Sequence, residues 1–146
     1  MDRHPYPVII ENVYPAINGG RFPVKRVVGE ELRIEADIYK DGHDTVAARL
    51  KWRELGKRKW TSSPMTPIPD GNDRWQASCL FLRNATFEIT IEAWPDAFRS
   101  WSHEFRTKLR AGQSDLTLES REGVLLIEAA ADRAERSNPD AAKSLR

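Results

Sequence analysis

The sequence predicts a mainly β chain, an immunoglobulin-like β-sandwich over residues 1–112 followed by a helical segment over 113–146. Three observations lead to this fold class. The runs Leu32–Tyr39, Val46–Arg53 and Phe87–Trp94 alternate apolar and polar residues at period two, the signature of strands with one buried face. Clusters rich in Gly, Asn, Asp and Pro separate these runs and shorter ones between them, as in sandwiches rather than alternating βα units. After Ala111-Gly112-Gln113 the composition shifts to helix formers, most clearly in Glu128-Ala129-Ala130-Ala131.

In chain order, Val8–Val13 forms a first short strand, and Asn18-Gly19-Gly20 marks the turn after it. Phe22–Val28 is extended around Pro23, whose missing N–H suits an edge or irregular position. Leu32, Ile34, Ala36 and Ile38 then form one face of a strand, with Arg33, Glu35, Asp37 and Tyr39 on the other. Beyond the turn Asp41-Gly42-His43-Asp44, the apolar set is Val46, Ala48, Leu50 and Trp52, and a Trp in that position suits the centre of a sandwich core. Pro64-Met65-Thr66-Pro67-Ile68-Pro69 cannot lie in a central strand. Asp70-Gly71-Asn72-Asp73 turns the chain into Trp75, Ala77 and Cys79, and Phe87, Ile89, Ile91 and Ala93 complete the alternating strands. Phe98–Arg110 fits two templates. The set Trp101, His103, Phe105, Thr107 and Leu109 makes a strand face, whereas Phe98, Trp101, Phe105 and Leu109 suit a helix; the strand is the expectation adopted. A helix over residues 115–135 begins with Ser114 or Asp115 as N-cap and has no packing partner in the chain. Ser137-Asn138-Pro139-Asp140 either stops it or links it to another helix.

A length of 146 residues allows one domain with an appended element, and 40% hydrophobic with 31% charged residues is a composition that folds. The net charge of +1 provides no overall field for nucleic acid or an anionic membrane, so neither is expected as a partner. Cys79 has no disulfide partner and falls on an apolar face, which reads as a core thiol in a reducing compartment. The N-terminal stretch lacks a signal-peptide pattern and no run is long enough to span a bilayer, so a cytoplasmic location is expected.

His4, His43 and His103 are far apart, and none has a second ligand at metal-binding spacing. No phosphate loop, nucleophile elbow or dinucleotide fingerprint is present. Asp41, Asp44, Asp70, Asp73 and Asp96 sit where turns need them. No catalytic, cofactor-binding or metal-ligating residue is therefore expected. Lys51–Trp60 interleaves cations and aromatics but reads as a strand leading into a hairpin tip, and Asn84-Ala85-Thr86 matches a glycosylation sequon without an export signal. Of the five Trp residues, Trp52 and Trp75 belong to the core; Trp60, Trp94 and Trp101 are candidates for an interface or for stacking sugar rings. Trp94 lies on the polar face of its strand and needs a covering surface.

Several blocks carry a resemblance: Val8-Ile9-Ile10-Glu11-Asn12-Val13, Asn18-Gly19-Gly20-Arg21-Phe22-Pro23-Val24-Lys25-Arg26, Glu35-Ala36-Asp37, Pro64-Met65-Thr66-Pro67, Asn72-Asp73-Arg74-Trp75 and Glu92-Ala93-Trp94. Together they resemble the N-terminal domain of bacterial α-1,4-glucan:maltose-1-phosphate maltosyltransferases of the α-amylase superfamily. Pro95 and Asn84-Ala85-Thr86 depart from the pattern and bear on local turns. The resemblance implies a larger enzyme with a helical bundle inserted after the sandwich, of which residues 113–146 are a truncated part, and a catalytic (β/α) barrel. It implies transfer of maltose from α-maltose 1-phosphate to a 1,4-glucan with retention, by two carboxylates on the barrel and none here. This chain alone is then not an enzyme. Its expected role is domain packing and homodimer assembly, with α-glucan reached only through the parent. The alternative is a free-standing carbohydrate-binding or protein-interaction sandwich.

Overall fold

A computed structural model describes residues 7–42 and 44–145; His4 and His43 lie outside them. The chain folds as two compact units, one holding the chain up to Gly42 with Val46–Pro95, the other holding Thr45 with the chain from Asp96.

The first unit contains strands β1 (Ile9–Tyr14), β2 (Glu31–Tyr39), β3 (Val46–Glu54), β4 (Thr61–Pro64), β5 (Thr66–Pro67), β6 (Arg74–Leu80) and β7 (Phe87–Pro95). They form two antiparallel sheets, ordered β1-β2-β6-β5 and β4-β3-β7. Register explains why the alternating residues share a core. Leu32 pairs with Cys79, Ile34 with Ala77 and Ala36 with Trp75, so the apolar faces of β2 and β6 coincide. On the other sheet Ala48 pairs with Ala93, Leu50 with Ile91 and Trp52 with Ile89. Residues of both sheets form one buried cluster in which Leu50 and Ile38 are almost wholly enclosed, the packing of a β-sandwich. Trp52 is partly buried and packs against this cluster, while Trp75 is fully in it and donates its indole N–H to the Ile38 carbonyl at 3.0 Å.

The proline-rich stretch changes sheets. Thr61–Pro64 pairs with β3 and Thr66–Pro67 with β6, each at a sheet edge, where a missing N–H costs no ladder bond. Met65 sits at the crossing with its side chain buried and its N–H bonded to the Ala48 carbonyl at 2.9 Å. Asn18, Gly19 and Gly20 turn with φ of 49°, 64° and 86°, a left-handed run that two glycines make cheap.

The second unit corrects the strand expected at Phe98–Arg110. Ala97–Arg110 is a helix, α1. Its N-terminus is fixed by the Asp96 carboxylate, which accepts the Arg99 N–H at 2.9 Å. Along one side of it Phe98, Trp101 and Phe105 stack in sequence, with ring centroids 5.3 and 5.4 Å apart. The helical spacing prevails because it gathers these three rings, whereas the period-two set mixes two of them with His103 and Thr107, which the structure leaves exposed.

Two further helices follow, α2 (Thr117–Glu135) and α3 (Pro139–Leu145). Asp115 precedes α2 and its carboxylate accepts the Thr117 N–H at 3.0 Å, while Asn138 accepts the Ala141 N–H at 3.2 Å ahead of α3. Ser137–Asp140 is thus a link to another helix. The expectation that the helix after residue 115 lacks a partner is also overturned. Gly123 of α2 meets the Trp101 ring, the Trp101 indole donates to the Glu119 carbonyl at 2.6 Å, and Lys108 of α1 bridges Glu104 and the buried Glu119 at 2.7 Å each. Ala131 of α2 and Ala142 of α3 are buried as well. Because α1 belongs with these helices, the division between compact units falls after Pro95, ahead of 112/113.

Candidate functional site

The residues singled out in the sequence do not converge. Trp60 and Trp94 lie on the outward face of the β4-β3-β7 sheet. There the residues of β3 that alternate with the core project Arg49, Lys51 and Arg53 across Glu92 and Glu88 of β7. Lys51 Nζ stands 5.1 Å and Arg53 Cζ 4.5 Å from the centroid of the Trp60 ring, and Arg49 Cζ stands 5.5 Å from that of Trp94. These contacts form a cation–π ladder, with Trp94 41% exposed at its end. Hydrogen bonds from Lys51 and Arg49 hold the Glu92 carboxyl below its ordinary value. Trp101 is elsewhere, among the helices.

The larger feature was not singled out in the sequence. Leu32 and Ile34 of β2, Phe81, and Phe87 and Ile89 of β7 line a cleft of about 650 Å³, closed on another side by Pro23–Val28. Two backbones beside it lack ladder partners. Among the described residues β7 pairs with β3 alone, leaving its second edge open, and Pro23–Val27 belongs to no sheet. An open edge next to an apolar cleft is the geometry that accepts an added strand. Lys25, Arg26 and Arg83 also line the cleft, and Arg83 is paired with Glu54. The signal available in the sequence was the Gly-Gly-Arg-Phe-Pro-Val-Lys-Arg block, distinctive yet too short of alternation to be a core strand.

Glycosyl transfer with retention needs a carboxyl group held protonated by its surroundings. The displaced carboxyls all move the other way: Asp37 through Asn12 and Arg74, Glu92 as described, Asp115 through the Thr117 N–H, and Glu119 through Lys108. Burial pushes the Cys79 thiol up to about 11, which keeps it out of the thiolate form a nucleophile needs. Among the described residues no group of three or more His, Cys, Asp or Glu side chains could hold a metal ion.

The family model for α-1,4-glucan:maltose-1-phosphate maltosyltransferase, domain N/S, matches residues 7–146. The chain belongs to this family. It is 43% identical over 143 residues to the maltosyltransferase of Myxococcus xanthus, a match covering 94% of this chain and 21% of that protein. To the maltosyltransferase of Chlorobaculum tepidum it is 46% identical over 127 residues, covering 87% and 18%. To that of Rhodospirillum rubrum it is 39% identical over 131 residues, covering 84% and 19%. The chain thus spans about a fifth of the length of these curated maltosyltransferases. The domain N/S match takes in both compact units and the block at residues 19–26, most of whose residues line the cleft.

Proposed function

We propose that this chain is the non-catalytic N-terminal module of a cytoplasmic maltosyltransferase, serving domain packing and dimerisation, with immunoglobulin-like topology in its sandwich. The parent would transfer maltose from α-maltose 1-phosphate to 1,4-α-glucans with retention, its two catalytic carboxylates lying in another domain. One observation carries the reading: a domain N/S match across residues 7–146 in a chain equal to about a fifth of its relatives. The apolar cleft and the open edge of β7 support a packing role, since both gain stability when another segment covers them. A second reading, a glucan-binding sandwich, draws on Trp60 and Trp94 sharing one sheet face, although a cation lies against each ring.

Incubating the chain with α-maltose 1-phosphate and maltohexaose distinguishes these readings from catalysis. Phosphate release is expected to stay at the protein-free background, and release abolished by an Asp or Glu substitution within the chain would overturn the non-catalytic assignment. Titrating maltohexaose alone, with Trp94→Ala beside the parent chain, is expected to give no Trp fluorescence change. A saturable change lost in Trp94→Ala would establish the glucan-binding reading instead.

A further inference from the structure

Helix α1 carries two kinds of cation. Lys108 is fully compensated, held between Glu104 and Glu119. On the helix side that bears Arg99, His103, Arg106 and Arg110, the spacing of four, three and four residues brings all four within an arc of about 60° and along about 16 Å. Among the described residues Arg99, Arg106 and Arg110 have no carboxylate partner. Such a stripe has an intrinsic cost, because like charges four residues apart repel on a helix. Arg106 and Arg110, near the C-terminus, gain from the helix dipole; Arg99, in the first turn, has the wrong sign for it, and that turn contains no acidic residue.

The stripe also borders a concavity. Arg99, His103, Arg106 and Arg110 line a cavity of about 340 Å³ together with the hydroxyl-bearing residues Ser102, Thr107 and Thr45. The Thr45 hydroxyl is anchored by the Asp96 carbonyl and Ser100, and its N–H bonds to Ser100 Oγ at 2.8 Å. Asp96, the nearest acid in the helix sequence, spends its carboxylate on the Arg99 N–H. A concavity lined by guanidinium donors and hydroxyls, with no carboxylate among its lining residues, is suited to an oxyanion that accepts several hydrogen bonds.

We propose that this face of α1 is a binding site for a phosphate group, either free phosphate or a phosphate monoester, with Arg106 and Arg110 as principal ligands and Arg99, His103 and Thr107 completing the cage. The lining residues share one surface depression of about 340 Å³, room for a small oxyanion, and the net charge of +1 does not favour an extended polyanion. The inference stands independently of the proposed function, since it rests on this helix and Thr45 beside it.

Calorimetric titration of the whole chain at low salt with inorganic phosphate, a hexose 1-phosphate and maltose tests it. Both phosphate-bearing probes are expected to bind saturably and maltose not at all; a tighter fit for the ester identifies a monoester as ligand, a tighter fit for the free anion identifies free phosphate, and equal affinities show that the phosphate group alone is recognised. The double variant Arg106→Gln, Arg110→Gln should weaken binding at least about tenfold, the scale set by losing charge-assisted bonds. Arg121→Gln, on exposed α2 surface, should leave it unchanged. Thermal unfolding of each variant at the temperature of the parent chain shows that the fold is intact. No binding of either probe, equal loss in Arg121→Gln, or preference for a glutamate-rich peptide over phosphate would overturn the proposal.

Discussion

Trp75→Ala is expected to destabilise the sandwich by about 3–5 kcal/mol, the range for emptying a buried aromatic site. Trp75 is 9% exposed, sits on β6 opposite Ala36, and packs in the cluster shared by both sheets. Truncation leaves a cavity between two sheets whose hydrogen-bonded backbones cannot collapse into it. It also strands the Ile38 carbonyl, which accepts the indole N–H in a buried setting. Trp75→Phe separates the two effects, since it retains much of the volume and loses the bond, and should cost much less. Urea unfolding of the three proteins gives the comparison. A Trp75→Ala loss within about 0.5 kcal/mol of the parent, the range of surface changes, would mean that this residue does not anchor the core.

The second large effect is expected at Gly123. Helix propensity alone makes any residue but proline better than glycine here, by about 1 kcal/mol for alanine. Packing reverses the sign. A Cβ at this position would lie 2.2 Å from Cζ2 of Trp101 and 2.7 Å from two further atoms of the same ring. The ring has little room to yield, being stacked against Phe98 and Phe105 and bonded to the Glu119 carbonyl. Overpacking of this kind costs about 1–3 kcal/mol and occasionally more, so Gly123→Val is expected at the upper end and Gly123→Ala below it. Trp101→Leu should relieve the clash, so that the pair in a double-mutant cycle loses less than the sum of the singles. Thermal unfolding by circular dichroism measures all four. A Gly123→Ala protein more stable than its parent would show that the close approach of α1 and α2 is not as described.

What could be read from the sequence depended on how far each residue's environment is local. In β2, β3, β6 and β7 the alternation is long enough to fix which face is buried, and Leu32 through Ile38 and Trp75 through Cys79 lie where their period places them. At Phe98–Arg110 two periods compete within the same residues, and the contest is decided by contacts from α2, through Gly123 and Glu119, that no local window contains. The same contacts give α2 a packing partner within the chain, although Leu118, Val124 and Leu125 stay exposed. As for the candidate site, Trp60 and Trp94 could be placed on a polar face because β3 and β7 were legible. Their cations could not, since the β3–β7 pairing brings Arg49 to Trp94 from a remote strand, and the return of the chain after β3 brings Trp60 to Arg53. The cleft was hidden for a related reason: it is defined by a pairing that β7 does not make.

The two units also differ in how far apart in sequence their contacts lie, and this bears on the order in which the chain acquires structure. The sandwich is secured by pairs such as Leu32 with Cys79 and Ile38 with Trp75, 47 and 37 residues apart, so long loops must close before its core rewards them. The helices are joined by neighbours in sequence, with Lys108 and Glu119 only 11 residues apart. Local contacts form quickly and remote ones slowly. On release from denaturant, pulsed hydrogen exchange should therefore find the amides of α1 and α2 protected ahead of those of β2 and β6, although the strands come first in the chain. Synthesis from the N-terminus runs against that order, so β2 must wait for β6 with the edge that β6 will occupy unpaired.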